Sequence, residues 1–307
     1  MSLQRRDFLK IAGAGATALG LIGGKRAAGA ATPAPPPRAT ILKKALKFGM
    51  VKEEELSLVE KFKLLKELGF DGVELDGPSD LNRDEVLRAR EESGLPIPGV
   101  VDSVHWRKPL SDPDPQVRAE GLEGLKTALR DARAYGASTV LLVPAVVKKE
   151  VSYGDAYARS QAEIRKVLPL ARQLGVRIAI ENVWNNFLLS PLEMARYIDE
   201  LESSWVGVHF DVGNIVNYGW PEHWIRTLGH RILKFDIKEY SRKKRDQEGP
   251  YAGFRVKLGE GDCDWPAVRQ AIKDIGYSGW GAAEVAGGNR ERLKEISERM
   301  DRILSQS

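Results

Sequence analysis

The chain has 307 residues, 42% hydrophobic and 29% charged, with 47 Lys and Arg against 43 Asp and Glu. This is ordinary soluble globular composition with ample material for a large core, and the single cysteine, Cys263, excludes an intramolecular disulfide. Residues 1–30 hold five basic residues and only Asp7, which leaves 42 residues of each sign after them, so nothing in that balance asks for nucleic acid or an anionic membrane.

Gln4-Arg5-Arg6-Asp7-Phe8-Leu9-Lys10 is a twin-arginine pattern, followed by a mild apolar run to Gly24 and by Ala28-Gly29-Ala30, an A-x-A-like cleavage site. The run is too short and Gly-rich to span a bilayer well. Residues 1–30 are therefore expected to be a signal peptide read by the twin-arginine (Tat) export machinery, which makes the protein periplasmic or otherwise extracytoplasmic. Residues 31–44, rich in Ala and Pro, read as a linker, and the folded domain is expected over 45–307.

From residue 45 strand and helix patterns alternate. A first strand is predicted at 46–50, then a helical stripe of Leu58, Phe62, Leu65 and Leu68 closed by Gly69. A strand at 72–75 precedes a helix at 83–93. A strand at 98–102 leads through a long loop carrying His105 and Trp106 into a helix at 116–135. A fourth strand spans 138–143 and a helix 155–174. The fifth strand runs into Glu181, and Ser190, Pro191 and Glu193 mark the cap, first and third positions of the next helix. The sixth strand runs into Asp211, with a helix near 221–228. The seventh runs into Asp236, with a basic loop over 240–262 and a helix at 265–275. The eighth runs into Glu284, and a helix at 289–304 follows. Eight alternations in about 265 residues are what a single-domain α/β fold of the (β/α)8 barrel type requires. The competing architecture, an open doubly wound sheet, lacks support because no G-x-G-x-x-G turn follows an early strand.

Four successive strands thus end on an acid: Glu181, Asp211, Asp236 and Glu284. In a barrel the strand ends form the working face. Four converging carboxylates raise one another's pKa unless a cation joins them. Ligation by oxygen alone suits Mg2+ or Mn2+, tolerates Co2+ or Fe2+, and disfavours zinc. Each acid could instead cap the helix after its strand, which suits any one of them better than all four. His209 and Lys234 stand two residues before their acids, on the same inward face one layer down, and read as partners of the carboxylates rather than ligands. A Schiff-base role for Lys234 is disfavoured because neighbouring acids keep it protonated.

Gly72-Val73-Glu74-Leu75, Ile180-Glu181-Asn182, Phe210-Asp211-Val212-Gly213-Asn214, the seventh strand through Lys238-Glu239, Leu258-Gly259-Glu260-Gly261 and Gly279-Trp280-Gly281-Ala282-Ala283-Glu284 together resemble the xylose isomerase-like TIM barrel superfamily of sugar isomerases and epimerases, over roughly residues 45–305. The resemblance implies a divalent-metal-dependent enzyme in which Glu181 and Glu284 are both metal ligands and the catalytic acid/base pair. One would remove a proton next to a metal-polarised carbonyl, giving an enediolate, and the other would return it. Two positions depart from the epimerase pattern, which has His at Asp236 and commonly His at Asn214. The first makes the site one charge more negative and the metal a weaker Lewis acid.

His105 and Trp106 read as a polar tip beside an aromatic platform for a sugar face, or equally as an exposed loop with a packed Trp. Asn182, Asn214, Lys238 and Glu260 are further candidate substrate contacts. Glu74 is expected to support the ligands, and Glu239 to do one or the other. Arg242-Lys243-Lys244-Arg245 is a phosphate grip or a solvated charge run, and a neutral sugar or glycoside is the expected carbohydrate substrate. Trp184, Trp220 and Trp224 either line the mouth or pack in the core. Competing readings are a keto-sugar lyase or hydratase, a non-catalytic exported sugar-binding barrel, and a metallo-phosphodiesterase, the last disfavoured by only four histidines. A homo-oligomer is compatible with the sequence.

Overall fold

The computed structural model describes residues 42–305. The signal expected at 1–30 and most of the expected linker lie outside those residues. The apolar runs form eight strands: β1 (Leu42–Leu46), β2 (Leu75–Gly77), β3 (Gly99–Asp102), β4 (Thr139–Leu142), β5 (Arg177–Glu181), β6 (Val206–Asp211), β7 (Ile232–Ile237) and β8 (Gly279–Ala283). They pair in parallel in the order β1-β8-β7-β6-β5-β4-β3-β2. A parallel bridge between Lys47 and Glu74 joins the two ends of that order, with the Glu74 amide donating to Leu46 at 2.9 Å and the Phe48 amide to Glu74 at 2.8 Å. The sheet is closed as a (β/α)8 barrel.

The helices are α1 (Leu58–Glu67), α2 (Arg83–Ser93), α3 (Pro115–Tyr135), α4 (Tyr153–Leu174), α5 (Pro191–Asp199), α6 (Val212–Val216), α7 (Pro221–Leu228), α8 (Arg242–Glu248), α9 (Trp265–Asp274) and α10 (Arg290–Leu304). Their starts are set by side-chain caps. Ser57 and Glu60 form a reciprocal capping box on α1, and Asp114, Ser190 and Asp264 accept first-turn amides ahead of a proline in α3, α5 and α9, each such cap contributing about 1 kcal/mol.

Three expectations shift. β1 begins at Leu42, inside the stretch read as linker, and residues 48–50 form a 3₁₀ turn instead of strand. β2 begins three residues later than expected, at Leu75. The basic loop after β7 contains α8 and a 3₁₀ turn at Pro250–Phe254.

Alternation sends Ile178, Ile180, Val208 and Phe210 outward into the buried helix–sheet layer. A one-residue register shift separates the Val208–Ile232 pair from the His209–Lys234 pair. Beyond it Asp211 lies beside Asp236, and Phe210 beside Phe235 with ring centroids 5.9 Å apart. Without the shift Asp211 would pair with Phe235. Below the acids the barrel interior is polar: Lys234 Nζ donates to Glu74 Oε1 at 2.6 Å, both side chains being buried. Gly99 makes room for this pair, because a Cβ there would lie 2.2 Å from Lys234 Nζ and 2.7 Å from Glu74 Oε1. Gly99→Ala is therefore expected to lower unfolding stability by about 1–3 kcal/mol through overpacking, read as a lower denaturation midpoint in urea.

Candidate metal centre and active site

Glu181 ends β5, Asp211 ends β6, Asp236 lies one residue before the end of β7, and Glu284 follows β8. One oxygen from each lies within 4.8 Å of one from every other. Three are buried, and Glu284 sits at the rim with its side chain 37% exposed.

The surrounding residues fix these oxygens. Asn182 accepts the Asp211 amide proton at 2.8 Å and donates to the Asp211 carbonyl at 2.8 Å. It positions a ligand strand, in place of the substrate contact expected of it. Asp211 Oδ1 accepts the Asn214 amide at 2.8 Å and caps α6, leaving Oδ2 for the cluster. Helix capping and ligation are thus open to Asp211 together, one oxygen for each, while the other three acids cap none of the described helices. Asn214 Nδ2 donates to the Asn182 carbonyl at 3.0 Å and reaches Glu181 Oε1 at 3.5 Å. Lys238 Nζ lies 3.0 Å from Asp211 Oδ2 and 3.1 Å from Glu284 Oε1.

One layer down, Lys47 Nζ lies 2.7 Å from Glu74 Oε2 and 2.9 Å from Asp236 Oδ1, and His209 Nε2 is 2.9 Å from the same Asp236 oxygen. The sequence reading missed Lys47. Its frame for β1 ran through residue 47, whereas the strand stops at Leu46 and Lys47 turns inward at the seam. His209 Nε2 faces Asp236 Oδ1, while Lys234 bonds to Glu74 and not to the acid two residues after it.

Burial opposes every charge here, and the neighbours decide each outcome. For Glu181, burial and the charges of Glu284, Asp236 and Asp211 push the pKa far up. Asp211 is raised by burial in spite of Lys238. Burial raises Glu284 to about 8, against the pull of Lys238. Burial would also raise Asp236 and Glu74, but His209 and Lys47 hold Asp236 far below its usual range, and Lys234 and Lys47 hold Glu74 at about 2. Burial lowers Lys238 and Lys47, yet the surrounding carboxylates win and raise both.

The donors fit a hard divalent cation. All four are carboxylates, Asp236 Oδ2 is buried with no partner, and Asp211 Oδ2 meets only the misaligned ammonium of Lys238. Glu74, His209 and Asp236 also gather within 4.8 Å, but both Glu74 oxygens already accept from lysines. A cation therefore belongs to Glu181, Asp211, Asp236 and Glu284. Bound there, it would neutralise the mutual repulsion that raises three of them.

The remaining predicted residues divide. His105 is buried, its Nδ1 accepts the Val143 amide at 3.3 Å, and burial lowers its pKa to about 3, so the neutral ring carries its proton on Nε2. Trp106 beside it is half-exposed and lines a cavity of about 340 Å³ that Asn214 and Lys238 also border. Glu260 lies outside the acid cluster, 2.5 Å from Arg299 on α10. Glu239 turns away from the mouth to accept from Tyr240, Gly259, Cys263 and Trp265, fixing the loop after β7. Three of the four cations of the basic run are bonded to backbone, Arg242 to Val216 and Gly219, Arg245 to Asn217 and Lys244 to Arg255, while Lys243 is exposed. Trp224 packs in the core, Trp220 is exposed, and Trp184 lines the same cavity as Trp106.

Residues 62–305 match the family described as Xylose isomerase-like TIM barrel. The chain belongs to that family. Among curated relatives, L-ribulose-5-phosphate 3-epimerase UlaE of Escherichia coli (strain K12) is 27% identical over 236 residues, covering 72% of this chain and 79% of that protein. Among solved structures, 3-keto-D-glucoside 4-epimerase YcjR from E. coli superposes with a TM-score of 0.71 at 18% identity, covering 85% of this chain and 98% of that one. D-psicose 3-epimerase superposes at 0.67 and 19% identity, covering 85% and 96%. These structural likenesses share the fold, and the epimerase relatives support an isomerase or epimerase enzyme in a xylose isomerase-like barrel whose carboxylate cluster can hold a metal ion.

Two outcomes follow from these charges. Lys47→Met leaves buried Asp236 and Glu74 short of a counter-charge and should destabilise the metal-free protein by about 3–5 kcal/mol, with the Lys47→Met/Asp236→Asn double variant losing less than the single change in urea melts. In metal-free protein Glu181, Asp211 and Glu284 keep protons that the unfolded chain releases in the ordinary carboxylate range, so their contribution to stability falls as pH rises above that range, for Glu284 up to about 8. Mn2+ should abolish that loss. Melting temperatures in EDTA and in Mn2+ should therefore diverge between pH 5 and pH 8.

Proposed function

We propose that the protein is a divalent-metal-dependent sugar isomerase or epimerase that moves a proton next to a carbonyl on a non-phosphorylated sugar or keto-glycoside. The observation that carries this reading is the pairing of Glu181 and Glu284 within one oxygen cluster, both with raised proton affinity, on β5 and after β8 with two strands between them. A cation such as Mn2+ or Mg2+, bound by the four acids, supplies polarisation of the substrate carbonyl and its neighbouring hydroxyl. Glu181 and Glu284 then flank the reacting carbon, one taking its proton and the other returning one to the opposite face or the adjacent carbon. Asn214 holds Glu181, and Lys238 holds Asp211 and Glu284. Neutral His105 presents its Nε2–H as a hydrogen-bond donor, with the tautomer set by Val143.

The non-phosphorylated reading is supported by where the cations go. Arg242, Lys244 and Arg245 are bonded to carbonyls, while Arg255, Lys257 and Arg292 are paired with Glu248 and Glu295. We also read residues 1–30 as a twin-arginine signal, for which Arg5→Lys/Arg6→Lys should keep the product in the cytoplasm, as fractionation would show.

Turnover in D2O should place deuterium on the carbon beside the carbonyl, and product mass separates epimerisation from a lyase reaction that expels a leaving group. Glu284→Gln should reduce exchange by about 10²–10⁴-fold. Unlabelled product, or full activity in EDTA, would overturn the proposal.

A further inference from the structure

Large exposed apolar side chains are distributed unevenly. Those described are Trp106, Leu189, Leu192, Tyr218, Trp220 and Tyr251. All six lie after β3, β5, β6 or β7, at the end of the barrel where the acids sit. Two of them, Trp106 and Tyr251, line the cavity of about 340 Å³ together with Trp184 and Phe254, while Asn214 and Lys238 border it toward the acid cluster. That volume stands at the small end of the roughly 300–1,000 Å³ typical of small-molecule sites.

The cavity is built and polarised for one kind of occupant. Trp184 is locked by its Nε1–H donating to the Asn214 carbonyl at 2.8 Å and by contact with Phe254, whose ring centroid lies 4.9 Å away. Tyr251 stands 5.5 Å from Trp184 and is 75% exposed, and Trp106 is 48% exposed. Aromatic faces left open to water beside a fixed aromatic wall offer stacking area at little ordering cost. The one cation among the described lining residues, Lys238, is already held by Asp211 and Glu284 and lies 5.2 Å from the Phe254 ring centroid. An anionic group would find no unspent charge there. A ring with an apolar face would.

Resting on the sugar isomerase or epimerase reading, we propose that Trp106, Trp184, Tyr251 and Phe254 form a subsite for a second ring, joined by a glycosidic bond to the sugar held over the acid cluster. The substrate class is then a glycoside, and the walls select its aglycone. The shared chemistry is a ring with an apolar face, which an aryl group and a pyranose both offer.

Equilibrium binding to the Mn2+-loaded full chain tests this without any turnover, so its failure is distinct from failure of the deuterium-exchange test. Phenyl and methyl β-glycosides of glucose and galactose would be compared by calorimetry, with cellobiose as the pyranose arm. At least one phenyl glycoside should bind about tenfold more tightly than its methyl partner, and Tyr251→Ala and Trp106→Ala should each shrink that ratio several-fold. Tyr251 is exposed and donates no described hydrogen bond, so its variant should fold, which its melting temperature checks. Cellobiose matching the phenyl glycoside in affinity and in its dependence on Tyr251 assigns the second ring as a sugar, and weaker cellobiose binding assigns it as aryl. Absence of a phenyl-over-methyl preference in both sugars, or a ratio unchanged in both variants, overturns the subsite.

Discussion

Charge inside the barrel mouth constrains everything built around it. Glu74, Glu181, Asp211, Asp236 and Glu284 meet three ammonium groups, Lys47, Lys234 and Lys238. Glu74 and Lys234 balance across the barrel. The four clustered acids less Lys47 and Lys238 leave two negative charges, the charge that one divalent cation cancels. Buried charge of that size is strongly unfavourable without a counter-ion. The raised proton affinities of Glu181, Asp211 and Glu284 describe the same deficit met by protons instead of metal.

Backbone geometry decides which acids share the deficit. Strand alternation alone puts Asp211 on the inner face of β6, but the register shift against β7 brings Asp236 beside it and sends Phe235 outward to Phe210. The seam between β1 and β2 contributes Lys47 and Glu74 side by side, through a bridge that also closes the barrel. Closure and charge compensation are therefore one feature. Gly99 and Gly213 provide the space: a Cβ at Gly213 would lie 2.8 Å from the Lys238 side chain, and one at Gly99 would strike the Lys234–Glu74 pair.

What was legible in the sequence followed from short-range periodicity. The acids at the ends of β5 and β6, near the end of β7 and just after β8 each stand after a mostly apolar run, and the caps of α3, α5 and α9 stand one or two residues before a proline. What was hidden depended on contacts between distant segments. Lys47 was obscured because Leu42 to Met50 is apolar enough to support more than one strand frame, and the pairing of β1 with β8 settles it. Helix α8 has no buried residue to give a stripe, and its cations fasten it to the carbonyls of Val216 and Asn217 at the end of α6. Glu260 resembled a substrate contact by its motif, yet Arg299, far along the chain, holds it. The aromatic cavity draws rings from the loops after β3, β5 and β7, which no local pattern links.

Asp236 shows how such distant contacts alter the chemistry expected from a ligand list. Counted alone, a carboxylate where the epimerase pattern has a neutral imidazole adds a negative charge and weakens the cation's pull on a carbonyl. In the structure Lys47 and His209 both approach its Oδ1, while Oδ2 stays free. The ammonium cancels the added charge without taking the second oxygen. Four carboxylates with Lys47 and Lys238 beside them present the same net charge as two carboxylates with two neutral donors. The electrophilic strength of a bound cation is thus set by the whole polar layer, and the departure from the family pattern at Asp236 is compensated at the seam of the barrel.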